Sequence, residues 1–369
     1  NSLERDPRLS LANRSECGIP NAGPLLTMDL AAFHFFSGYG DPMKRRDFCA
    51  TAALATGFGL AGSAHAETKW DFATAYPAIN FHSRNNQQFV DDVAAATNGA
   101  LKIQPHFGAS LFKMPEIKRA VQTGNAQMGE FFLVSFQNEA QIFGADGLPF
   151  LAKNYDEAFK LYQAQKPYLE SILDKQGQTL LYSVAWPPQS IYSNKQIHSA
   201  ADLKGLKWRV YSPTTARIGE LVGAQPVTIQ EAELSQALAT GVIEGLITSS
   251  ATGADNKLYE NLKYFYKVQA WIPKNAVTVN KKAFAALPKA EQEAVRKAAA
   301  AAEERGWKSS REVDERSLDT LKKGGMQIIE PSAQLMGDLG KVGDVVVKEW
   351  LEKAGPDGKA LLEAYNKSK

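Results

Sequence analysis

From residue 68 onward, short apolar runs alternate with longer amphipathic stretches. Lys69-Trp70-Asp71-Phe72-Ala73-Thr74-Ala75 reads as a strand. Residues 81–97 follow, with Phe89, Val93 and Ala96 at helical spacing and Asn98-Gly99 as a stop. Leu101-Lys102-Ile103-Gln104-Pro105 is the next strand. A helix then begins at Pro115, where a missing N–H costs nothing, and ends at Gly124. The alternation continues through 127–132, 155–175, 179–186 and 205–211. Such alternation predicts an α/β protein whose sheets are mostly parallel, with helices on both faces.

The last third changes character. Leu287-Pro288-Lys289 opens a segment rich in Ala, Glu, Lys and Arg that runs to Gly324, interrupted only by Gly306. A helix of about 35 residues would be roughly 50 Å long, wider than one lobe, and is expected to span two. Helical stretches at 333–354 and 356–367 finish the chain.

Composition changes this picture mainly at the N-terminal end. Met43-Lys44-Arg45-Arg46-Asp47-Phe48 precedes an uncharged run of about 13 residues, and Ala64-His65-Ala66 closes it. Basic start, apolar run and small-x-small triplet predict a cleaved signal peptide at 43–66, directing the protein to the periplasm. The apolar run is too short for the roughly 20 residues of a membrane span. Arg45-Arg46 followed by Phe48 is similar to a twin-arginine export signal, although the same basic cluster would serve general secretion. Residues 1–42 precede this start and show no periodicity; an early-assigned start codon or a disordered extension would explain them.

Cleavage after Ala66 would leave residues 67–369, without Cys17 and Cys49. Disulfides and cysteine nucleophiles are then excluded together. The remainder carries 36 Lys+Arg against 34 Asp+Glu, a balance that argues against nucleic acid or anionic membrane as main partner. Its length suits two lobes with ample core.

Residues 191–250 carry the most chemistry. Leu203-Lys204-Gly205-Leu206-Lys207-Trp208-Arg209-Val210 is a turn feeding a strand, and Ser212-Pro213 is a helix start. Arg209 therefore sits near the carboxyl end of a strand, where open α/β sheets bind ligands. A guanidinium can pair both oxygens of a carboxylate, and nearby helix N–H groups favour the same charge. By spacing alone, a surface arginine in a loose ion pair is an equal reading.

That strand motif, with Gly223-Ala224-Gln225-Pro226-Val227 and Ala237-Leu238-Ala239-Thr240-Gly241-Val242-Ile243-Glu244-Gly245, resembles the signature of the DctP-type solute-binding proteins. These serve tripartite ATP-independent periplasmic (TRAP) transporters. Thr74-Ala75-Tyr76-Pro77, Phe107-Gly108-Ala109-Ser110-Leu111 and Tyr192-Ser193-Asn194-Lys195 also fit. The resemblance implies two α/β lobes, a hinge between them and a long spanning C-terminal helix. The division it suggests is 67–187 plus 274–313 for the first lobe and 188–273 plus 314–369 for the second. It implies Arg209 as carboxylate anchor and Thr248 where relatives often carry asparagine. Gln189 stands where the sialic-acid branch has a second arginine, which disfavours a C4-dicarboxylate. Ser212, at the helix start beside Arg209, joins the expected ligand-binding set.

Aromatic residues cluster at the same strand ends: Phe132 after Phe131, Trp186, Trp271, and Tyr76 and Tyr211 in loops. Each alone reads more simply as core packing; together they favour a pocket with an apolar wall. The expected solute is a monocarboxylate with an aromatic or branched body, including hydroxy or keto acids, with uronic and aldonic acids as the alternative. The expected partners are that solute and the TRAP permease, with the receptor a monomer and no cofactor or metal. An enzyme would need a nucleophile or a paired acid and base, and His82, His106 and His198 lack metal-ligand spacing. The ligand-binding subunit of a sensor would share the fold.

Overall fold

The computed structural model describes residues 67–369, so the predicted signal at 43–66, the segment 1–42 and both cysteines lie outside the described residues. The chain begins with β1 (Thr68–Ala73), α1 (Phe81–Ala96), β2 (Leu101–His106), α2 (Met114–Thr123), β3 (Met128–Phe132), α3 (Tyr155–Lys175) and β4 (Gln178–Ala185). It crosses to β5 (Ser190–Ser193), β6 (Lys207–Val210), α4 (Pro213–Leu221), β7 (Gln225–Thr228), α5 (Leu234–Ala239), β8 (Gly245–Thr248), α6 (Ser250–Asp255) and β9 (Tyr264–Tyr266). It returns through β10 (Lys274–Asn280), α7 (Lys281–Ala286) and α8 (Lys289–Lys323), and ends with β11 (Gln327–Ile329) and α9 (Ala333–Ser368).

Local chemistry sets these boundaries. The Asn80 side chain accepts the His82 N–H and starts α1. Beyond its end, Asn98 and Gly99 take φ of 50° and 76°, the left-handed region that Asn and Gly tolerate best. Ser212 accepts the Thr215 N–H and starts α4, with Pro213 in its first turn.

The strands form two sheets, ordered β2-β1-β3-β10-β4 and β11-β9-β5-β8-β6-β7. Both are mostly parallel, as expected, and each is made mixed by one reversed strand. In the first, β1 runs parallel to β2 and β3, while β10 is antiparallel to β3 and β4. In the second, β5 is antiparallel to β8 and β9. Each odd strand arrives directly from the other sheet. It starts at the edge where its neighbours finish, so it must run against them. The carboxyl ends of the remaining strands in both sheets face the crossing.

The two crossing segments pair with each other. Trp186 N donates to Pro273 O at 2.8 Å, Gln189 N to Trp271 O at 2.9 Å, and Ala270 N to Gln189 O at 2.8 Å. The third connection is α8, which packs on α1 and β4 at one end and on α6 and β11 at the other. The expected spanning helix is therefore present. Gly306 lets it lie close: a Cβ there would collide with Val184 of β4. The two final predicted helices form α9, interrupted at Gly355 (φ 60°, ψ −139°). α9 meets both α3 and α4, and Tyr365 Oη donates to Leu151 O at 3.0 Å. The helical layers beside the two sheets thus share α9.

Candidate functional site

Between the carboxyl ends of the two sheets lies a small, tightly closed cavity of ≈ 40 Å³. Six of the eight sequence-predicted residues line it: Tyr76, Phe132, Trp186, Gln189, Arg209 and Thr248. Ser212 and Trp271 do not. The Ser212 hydroxyl is spent on the α4 cap. Trp271 is buried in the crossing ribbon, where its carbonyl accepts from Gln189.

Strand geometry explains the sorting. Along β3, Phe131 points into the core against Phe136. Phe132, one residue on, turns to the opposite face and meets the Tyr211 ring at 5.3 Å. Along β6, Trp208 is core and Arg209 faces the cavity, between β7 and β8. Arg209 is 3% exposed. Its Nε donates to Ile229 O at 2.9 Å and its guanidinium stacks 4.8 Å from the Tyr211 ring centroid. It forms no ion pair among the described residues. Burial lowers its pKa, opposed chiefly by the negative Glu231 across the same cavity. The arginine is thus oriented by neutral contacts, with Nη groups left for an incoming anion.

The remaining polar wall is largely committed. Tyr211 Oη donates to Gln189 Oε1 at 2.9 Å, and Gln189 Nε2 donates to Pro187 O at 3.0 Å. Gln189 therefore holds the tyrosine in place. Tyr76 Oη and Trp186 Nε1 both donate to Asn275 Oδ1, at 3.2 and 2.9 Å. These two aromatics give the cavity ring surface, their hydrogens being engaged behind it. Asn275 in turn donates to Glu130 at 2.9 Å. Burial raises the Glu130 carboxyl to about 6, against donors from Thr74, Asn275 and Asn86. His82 lies 3.4 Å from Glu130, and burial keeps its pKa well below the usual histidine value. This buried pair supports the wall from behind; sequence reading gave His82 no partner.

Tyr211, one of the aromatics expected at the pocket wall, also lines the cavity, as do Met114, Ser135, Gln230, Glu231 and Thr252, which were not anticipated. Glu231 and Gln230 follow β7, so the strand-end rule that found Arg209 on β6 would have found them. Thr252 is in the first turn of α6, capped by Ser249, one turn beyond Thr248. Met114 and Ser135 carry no signal of that kind. Contacts between the β1–β3 side and the β6–β8 side hold the two halves together: Asn80 Nδ2 to Asp255 Oδ2 (2.7 Å), Ser135 Oγ to Tyr211 O (3.1 Å) and Thr214 Oγ1 to Gln137 Oε1 (2.9 Å).

Two mixed sheets joined by paired crossings, with a buried arginine between them that makes no ion pair among the described residues, form a cleft suited to a small anion. Residues 72–353 match the bacterial extracellular solute-binding proteins, family 7 (DctP), and the chain belongs to that family. It is a TRAP-type solute receptor for a small organic acid, in a family whose members work with membrane permease components. Among solved structures it is similar to DctP6 of Bordetella pertussis, an extracytoplasmic solute receptor binding pyroglutamic acid. Identity is 58%, over 81% of this chain and 100% of that one, with a TM-score of 0.80. DctP7 of the same organism, also binding pyroglutamic acid, is 43% identical over 81% and 99%, with a TM-score of 0.80. A marine metagenome TRAP solute-binding protein specific for pyroglutamate is 41% identical over 82% and 99%, with a TM-score of 0.80.

Proposed function

We propose that the protein captures pyroglutamate, or a five-membered cyclic-amide monocarboxylate of that shape, and delivers it unaltered to a TRAP permease. The observation that carries this reading is Arg209: a buried guanidinium in no ion pair among the described residues, opening into a cavity walled by Phe132, Trp186 and Met114. One cation suits one carboxylate, and Gln189 supplies no second charge. The flat aromatic surfaces suit a small ring body. The resemblance to three receptors that hold pyroglutamate favours this ring over larger aromatic or branched acids.

The same reading has Thr248 contacting the solute, and the protein acting as a monomer and as a receptor rather than an enzyme. It includes export through cleavage after Ala66, checked by mass spectrometry of the native periplasmic protein. It also has lobes 67–187 plus 274–313 and 188–273 plus 314–369 closing about the paired crossings. Small-angle scattering should then show compaction on adding solute. Isothermal titration with L-pyroglutamate, D-glucuronate and succinate tests the solute class. Tight binding of pyroglutamate alone supports the reading; binding of glucuronate or succinate without pyroglutamate overturns it.

A further inference from the structure

Glu231 is the cavity group that carboxylate capture leaves unused. An acid in a cavity meant for an anion costs Coulomb energy, more so in a partly buried setting. Its presence calls for a compensating interaction with the solute. Glu231 stands in the short turn after β7, and its Oε1 accepts from Asn256 Nδ2 at 3.0 Å. Asn256 also donates to Thr252 O at 3.1 Å, at the end of α6, so the residue that steers Glu231 is itself fixed. Glu231 Oε2 receives no hydrogen bond among the described residues, while the carboxylate borders the cavity with Arg209.

The aromatic part of the wall supplies no donor for it. The hydrogens of Tyr76, Trp186 and Tyr211 already go to Asn275 and Gln189. A free carboxylate oxygen can accept but not donate, and the solute carboxylate cannot donate either. With the Arg209 Nη groups taken up by the solute carboxylate, a donor for Glu231 can come from elsewhere on the solute. In a cyclic amide acid the N–H is bonded to the carbon that bears the carboxylate, so both groups are presented side by side. Arg209 and Glu231 offer the matching cation and acceptor.

Resting on the pyroglutamate reading above, we propose that Glu231 is the specificity-determining residue that accepts the ring N–H and rejects solutes lacking it. A site built around a solute hydrogen bond discriminates strongly, because the analogue leaves a buried polar group unpaired. The probe is the lactone analogue 5-oxotetrahydrofuran-2-carboxylate, in which a ring oxygen replaces N–H. Titration calorimetry on the wild-type protein should show pyroglutamate bound at least ~100-fold tighter than the lactone. Glu231→Ala should weaken pyroglutamate by about that factor and bring the two ligands to within about fivefold of each other. Wild-type protein that binds both ligands alike overturns the role of Glu231 while leaving pyroglutamate capture standing. A Glu231→Ala protein that keeps the preference overturns it too. Wild-type protein that binds neither overturns the solute reading itself. The wild-type comparison does not depend on how any variant folds.

Discussion

Arg209 and Lys274 are both buried cations at the cavity-facing ends of strands, yet their surroundings differ. Lys274, fully buried, opens β10 with its Nζ 3.1 Å from Asp146 Oδ2. That same oxygen accepts the Lys274 backbone N–H at 2.7 Å. Arg209 has a carbonyl, an aromatic face and no ion pair. A buried charge must be compensated. Lys274 is compensated inside the chain and belongs to the framework that positions the crossing. Arg209 makes no such ion pair among the described residues, which is why the proposed function places the solute carboxylate there.

Breaking the internal pair should have the largest effect. Lys274→Met strands Asp146 in the interior and should cost about 3–5 kcal/mol of stability. Urea unfolding measures this, and a loss under about 1 kcal/mol would erase the contrast with Arg209. The converse holds for Arg209→Ala, which should weaken solute binding at least ~100-fold, or about 3 kcal/mol. Its ligand-free melting temperature should move little. Arg209→Lys should also bind poorly, because a point charge lacks the two-pronged geometry. Near-native affinity in calorimetry would place the carboxylate elsewhere.

Glu130 sharpens the comparison from the anionic side, since only neutral donors and a neutral histidine face it. Its carboxyl sits at about 6 in the fold against an ordinary 4.5. A raised value means the folded protein holds the proton more tightly than the unfolded chain. Its contribution to stability is complete below about pH 4.5 and is lost as pH rises through about 6, by about 2 kcal/mol. His82, with a lowered value, runs the other way: its contribution is present above about 6.5 and is lost on acidification. Glu130→Gln keeps His82, so the histidine largely cancels in a comparison. The variant should gain about 2 kcal/mol on wild type between pH 4.5 and 7. Parallel stability curves across that range would remove Glu130 from the account.

The smallest effect concerns the contact between the two halves at Asn80 and Asp255. Removing one ordinary hydrogen bond in Asn80→Ala should cost about 1 kcal/mol of the closed arrangement. Because Asn80 also starts α1, the readout is solute affinity at matched melting temperature, expected to fall about fivefold. An unchanged affinity would separate that contact from closure.

Much of this was legible in the sequence, and the reasons differ by region. Helix limits followed from local signals such as Ser212-Pro213, Asn98-Gly99 and Gly124, where a few residues decide the geometry. The spanning helix followed from a long segment with one glycine. Strand direction did not, because whether β5 and β10 run with or against their neighbours depends on where the chain re-enters a sheet. Arg209 was legible through its motif at a strand end. Asp146 was not, because it acts through a lysine 128 residues away in sequence. Trp271 misled because a tryptophan beside a strand end looks alike in a ribbon and in a pocket wall.

Trp186 carries an optical consequence. All six tryptophans are among the described residues and buried, but only Trp186 borders the cavity. Its ring is caged by Tyr76, Phe81 and His82 at 5.0, 5.4 and 4.4 Å, and its indole hydrogen is fixed on Asn275. A solute resting on that face replaces whatever solvent quenches or relaxes the excited indole. The protein therefore brings its own fluorophore to the binding event. Stopped-flow emission should follow capture without a label, and Trp186→Phe should silence the signal while the other five indoles keep the baseline.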